Sequence, residues 1–81
     1  MQVHTLFFAS YRDLVGTGEM SLEVPDGCTV SQLVGALRER GRPFDRLPAD
    51  PAVAVNQCYT DAATRLAPDD EVAFIPPVAG G

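Results

Sequence analysis

Eighty-one residues leave room for one domain and one hydrophobic core. A formal net charge of −5, with an isoelectric point near 4.5, supplies no basic stripe for nucleic-acid phosphates. No apolar run approaches the ~20 residues of a membrane span, and no basic segment followed by an apolar one marks a secretory signal, so a cytoplasmic location is expected.

The positive charges are Arg12, Arg38, Arg40, Arg42, Arg46 and Arg65, and lysine is absent. A chain without side-chain amines is scarcely an acceptor for acyl groups, although its own carboxyl terminus can be a donor. Cys28 and Cys58 stand far apart with no close pair, which is too little for zinc or an iron–sulfur cluster. A reducing compartment disfavours a disulfide between them. Both are expected as small apolar side chains, buried or half-buried. No metal and no bound cofactor are expected.

In chain order, Gln2 to Ala9 reads as a first strand rich in β-branched and aromatic residues. Period 2 places Val3, Thr5 and Phe7 on one face and His4, Leu6 and Phe8 on the other. Ser10 is placed to cap a short helical turn through Val15, stopped by Gly16 and Gly18. Met20, Leu22 and Val24 alternate with polar residues in a second strand, and Pro25-Asp26-Gly27 makes a turn. Thr29 and Gln32 fit a capping box. Val30, Leu33, Val34 and Leu37 follow as the apolar stripe of the main helix, which is expected to reach Arg40 before Gly41 and Pro43. Residues 42–52 form a proline-rich loop with one helical turn near Phe44–Leu47. Val53-Ala54-Val55, Cys58-Tyr59-Thr60 and Glu71-Val72-Ala73-Phe74-Ile75 complete the strands.

Two strands, a crossover helix and a return to the sheet spell an α+β, β-grasp (ubiquitin-like) fold, a mixed sheet of four to five strands on one main helix. The competing ferredoxin-like sandwich needs a second full helix that this chain lacks. The expected core is Val3, Phe7, Leu22, Val24, Val30, Leu33, Val34, Leu37, Val53, Val55, Val72 and Phe74. Residues 1–75 are expected to form the domain and residues 76–81 an extended tail.

Side chains for conventional catalysis are scarce. His4 has no partner at a diagnostic spacing, and Ser10, Ser21 and Ser31 lack the strained turn that a nucleophilic serine requires. The run Asp69-Asp70-Glu71 reads as a solvated turn or as a contact for a basic partner. The tail remains. Glycine loses more backbone freedom on ordering than any other residue, so Gly80-Gly81 contributes little to a fold. Pro76 and Pro77 form a stiff stem, Val78 and Ala79 follow, and the six residues reach roughly 20 Å. A thin peptide with an α-carboxylate at its tip can enter a narrow channel. The bland alternative is a frayed chain end.

Phe7-Phe8-Ala9 with Arg12-Asp13 and Gly16 resembles the opening Phe-Phe-Ala-x-x-Arg-Glu-x-x-Gly of the molybdopterin synthase small subunits, the MoaD family. Val55-Asn56-Gln57, Leu66 and the run from Asp70 through Phe74-Ile75-Pro76-Pro77-Val78-Ala79-Gly80-Gly81 resemble its closing half. Asp13 and Asp69 depart from the glutamate and glycine common there. The resemblance implies a sulfur carrier for molybdenum cofactor synthesis that is not catalytic alone. A ubiquitin-activating-like adenylating enzyme would spend ATP on Gly81, a sulfur donor protein would convert it to a thiocarboxylate, and the synthase large subunit would receive the tail. Two small subunits on a dimer of large ones, a heterotetramer, are the implied assembly. Sulfur carriers for thiamine or cysteine synthesis and ubiquitin-like modifiers joined through Gly81 share the fold and remain alternatives. Strand alternation further suggests a patch of Phe8, Ile75 and Tyr59 at the base of the tail, with Tyr59 on the strand beside Ile75.

Overall fold

Residues 1–77 are described in the computed structural model, and strand alternation sets its first element. The expected tail residues Val78, Ala79, Gly80 and Gly81 lie outside the described residues. In β1 (Gln2–Phe7), Val3, Thr5 and Phe7 are buried while Gln2 and His4 face solvent. The one polar member of that row is satisfied, since Thr5 Oγ1 donates to the Met20 carbonyl at 2.8 Å.

The chain cannot continue as a strand past Phe7. Tyr11 and Val15, four residues apart, must both reach the core, so α1 (Ala9–Val15) begins directly after β1. Phe8 is the N-cap residue, with extended backbone and no side-chain cap bond. The expected cap at Ser10 is therefore incorrect, because Ser10 already lies inside the first turn. The reversal is made at Ala9, whose φ of 47° is unusual for a residue with a Cβ. Gly16, at φ 85°, closes α1 by donating its N–H to the Arg12 carbonyl.

After β2 (Glu19–Glu23) and a turn, α2 (Val30–Arg38) starts from a complete capping box. Thr29 Oγ1 accepts from the Gln32 N–H and Gln32 Oε1 accepts from the Thr29 N–H, at 3.2 and 2.9 Å. The helix ends two residues before the expected Arg40. The N–H groups of Arg40 and Gly41 reach back only to the carbonyls of Leu37 and Arg38, a tightened last turn. Arg38 Nε donates to the Leu47 carbonyl at 2.9 Å, which folds the proline-rich loop back and buries Leu47. A 3-10 turn at Phe44–Arg46 precedes β3 (Ala52–Val55).

The remaining strands are β4 (Cys58–Thr60) and β5 (Glu71–Ile75), and the sheet order is β2-β1-β5-β3-β4. β1 and β5 run parallel, which the crossover through α2 makes possible; the other pairs are antiparallel. This mixed five-stranded sheet with one helix across a single face is a β-grasp fold. Every residue of the expected core is buried, and Tyr11, Val15, Cys28, Leu47 and Leu66 join it.

At the centre, Phe7 and Phe74 pair across β1 and β5 with ring centroids 5.2 Å apart. An 81-residue domain has about 4–12 kcal/mol of net stability to lose. Phe74→Ala should remove about 3–5 kcal/mol of it, read from the urea midpoint; a loss below about 1 kcal/mol would contradict this packing.

Candidate functional site

The tail leaves from the central strand of the sheet. β5 has β1 on one side and β3 on the other, and its last residue, Ile75, pairs with Ala52. Pro76 and Pro77 follow directly. Neither has an N–H to donate, so the ladder must stop there and the chain continues as an unpaired stem. Pro76 is half-buried and Pro77 exposed.

The face of the sheet away from α2 is open among the described residues, and strand pairing decides what it displays. Leu6 pairs with Ala73, Ala73 with Ala54, and Ala54 with Tyr59, one row across four strands. Ile75 and Ala52 lie one step nearer the tail, and Phe8 follows Phe7, the partner of Phe74. Phe8 is 48% exposed and Tyr59 74%, the two large apolar side chains most open to solvent among the described residues. Phe8 and Ile75 thus stand at the tail end of the sheet, and the expected patch is corrected at Tyr59, which is level with Ala54 and one step further from the tail. Tyr59 lies on the edge strand β4, and β3 intervenes between it and β5. Leu6, Ala54 and Ala73 extend the row and were not included in the expected patch. Period 2 already put Leu6 on this face, but only the sheet order aligns it with the alanines.

The acidic run divides into residues of different roles. Asp70 Oδ1 accepts from Asn56 Nδ2 at 2.9 Å and Oδ2 accepts from the Ala67 N–H at 2.8 Å. Asn56 Oδ1 in turn accepts from the Glu71 N–H at 3.0 Å. Asn56 and Gln57 both take positive φ, as a tight two-residue hairpin demands. Asp70 is therefore a clasp between that hairpin and the start of β5. Asp69 is exposed, and Glu71 half-buried.

His4 Nδ1 lies 3.1 Å from Ser21 Oγ, and His4 Nε2 lies 4.0 Å from an Asp69 carboxylate oxygen. The outline resembles a serine–histidine–aspartate row, yet the His4 side chain is 49% exposed and that of Asp69 79%. A site open to water lacks the low-dielectric surroundings that make such a row reactive. Among the described residues no group of three His, Cys, Asp or Glu side chains could hold a metal ion. A depression of about 730 Å³ lies against the β2–α2 turn and α2; the thiol inside it, Cys28, is buried.

Both cysteines are free. Cys28 is buried, and desolvation pushes its thiol pKa up. Cys58 is exposed, contrary to expectation, because three-residue β4 is an edge strand with little cover. The Met1 ammonium donates to the Val24 carbonyl at 2.7 Å and lies within 3.4 Å of Glu23 and Asp26. Desolvation lowers its pKa, but the hydrogen bonds and charges of Asp26 and Glu23 outweigh that and leave it raised.

Sheet order, crossover helix and a C-terminal stem on a central strand define the ubiquitin-like β-grasp class. The ThiS family model matches residues 5–81, and the chain belongs to the ThiS family. The molybdopterin synthase sulfur carrier subunit of Mycobacterium tuberculosis is 35% identical over all of this chain and 99% of its own length. A putative molybdopterin converting factor, subunit 1, from Pyrococcus furiosus superposes with a TM-score of 0.83 at 30% identity, covering 96% of this chain and 99% of that one. The small archaeal modifier protein 1 of Haloferax volcanii has a TM-score of 0.72 at 27% identity, covering 95% and 98%.

Two measurements probe the local structure. Asp70→Ala should cost about 1–2 kcal/mol in unfolding free energy through the lost clasp, whereas Asp69→Asn should change it little. In the folded protein an alkylating reagent should modify Cys58 and leave Cys28 untouched until denaturant is added, as mapped by peptide mass spectrometry.

Proposed function

We propose that this protein is a sulfur carrier for molybdenum cofactor synthesis, acting in the cytoplasm as the small subunit of a molybdopterin synthase. The observation that carries the reading is the 35% identity, over the whole chain, to a sulfur carrier subunit of that synthase. The lack of lysine supports a donor role, since the protein offers almost no amine of its own to attack its activated terminus.

A carboxylate is a poor electrophile, so the Gly81 carboxyl must first be activated. In this reading a ubiquitin-activating-like enzyme converts it with ATP to an acyl-adenylate. The outer sulfur of a donor protein's persulfide then attacks the acyl carbonyl and AMP leaves. A protein thiol cleaves the resulting acyl disulfide, ending in a disulfide with the donor, and Gly81 is released as a thiocarboxylate. The loaded tail enters the synthase large subunit and gives its sulfur to cyclic pyranopterin monophosphate. Two deliveries build the dithiolene that later holds molybdenum or tungsten. This chain's own residues contribute reach and docking. Gly80 and Gly81 pass where a Cβ would clash, Val78 and Ala79 fill the channel mouth, Pro76 and Pro77 limit the entropy lost on insertion, and Phe8, Ile75 and Tyr59 meet the large subunit.

The likeness to a small archaeal modifier protein favours one second reading, attachment of Gly81 to lysines of other proteins. Incubation with the adenylating enzyme, ATP and a sulfur donor separates the two. An intact-mass change equal to replacing one oxygen by sulfur, discharged on adding the large subunit and pterin precursor, is expected. Lysine-linked adducts without thiocarboxylate would favour the modifier, and no loading under competent conditions would sink the carrier reading. Deleting Gly81 should abolish loading and leave the melting temperature unchanged.

A further inference from the structure

The open sheet face has a second half, beyond the apolar row and away from the tail, and its charge is one-sided. None of the five strands contains an arginine, and lysine is absent from the chain, so the helices and loops carry all six arginines. The strands carry Glu19, Glu23 and Glu71. Among the described residues none of these carboxylates lies within 4.0 Å of an arginine, and Glu23 is answered only by the Met1 ammonium. A depression of about 540 Å³ opens beside Leu6 of the apolar row. Glu19, Ser21, His4, Asn56, Asp69 and Glu71 line it, three carboxylates around a single imidazole. Glu19 pairs directly with Leu6, so carboxylates and apolar row form one continuous surface.

We propose that this acidic half is the steering half of the docking surface, and that the synthase large subunit presents lysine or arginine side chains opposite Glu19, Asp69 and Glu71. The inference rests on the sulfur-carrier reading only for the existence of that partner. Exposed rim charges change encounter rates and orientation more than the energy of the final contact. They act over a Debye length of about 8–10 Å at ordinary ionic strength, enough to orient the sheet before the tail meets its channel. Glu19 and Glu71 on the strands, beside Asp69, give this half of the face a single sign of charge, which is what such orientation needs.

Association of the full chain with the large subunit, followed by surface plasmon resonance over a range of salt concentrations, tests this. E19Q/D69N/E71Q should slow association at low salt by about tenfold, flatten the salt dependence and leave dissociation nearly unchanged. E19K/E71K should slow it further. The substitutions spare the fold, because Asn tolerates the positive φ of position 69 and the Glu19 and Glu71 side chains make no hydrogen bonds among the described residues. Unaltered association and salt slope would overturn the steering role while the carrier reading stands. Slowing confined to the adenylating enzyme would overturn the assignment to the large subunit. A wild-type chain that loads sulfur but never binds the large subunit would overturn this proposal and the choice of partner together.

Discussion

The parallel pairing of β1 with β5 is the contact on which the other features depend. It joins the first strand of the chain to the last and brings Phe7 against Phe74, both almost wholly excluded from water. Sixty-odd residues separate the two, so closing that loop costs entropy that only extensive burial offsets. The helix α2 supplies that burial with Val30, Leu33, Val34 and Leu37. A parallel pair cannot be joined by a tight turn, which is why the chain needs the crossover and why β5 finishes in the middle of the sheet. The position of the tail follows from the core.

A sheet covered on one face must solve a different problem on the other. Here small residues hold the centre of the open face, with Ala54 and Ala73 almost inaccessible despite lying on the side away from the helix. Larger apolar side chains stand at its tail end and carboxylates at its far end. The same alternation that builds the core therefore also prints a surface pattern, apolar toward the tail and acidic away from it.

Much of this was legible in the sequence because it is encoded over short distances. The capping box at Thr29 and Gln32, the helical stripe and the strand alternation are all local patterns, and each corresponds to an element and a buried face. What was missed depended on distant contacts. Ser10 looks like a cap until Tyr11 and Val15 are required to reach the core together. The last turn of α2 tightens at Arg40 and Gly41, where the chain turns so that Leu47 accepts from the Arg38 guanidinium, nine residues back. Asp70 reads as one of three acids, yet its partner Asn56 is fourteen positions away and is brought to it only by the pairing of β3 with β5. Tyr59 was placed on the correct face and on the wrong neighbour, since alternation gives the face of a strand and says nothing of strand order.

The central location of β5 has a mechanical consequence. Hydrogen bonds of the ladder run across the strand, so a force applied along its axis through the Pro76-Pro77 stem loads them in shear, on both flanks at once. An edge strand pulled sideways would unzip one bond after another. Here the bonds to β1 and β3 must yield together, and the domain can bear traction on its last residues without coming apart.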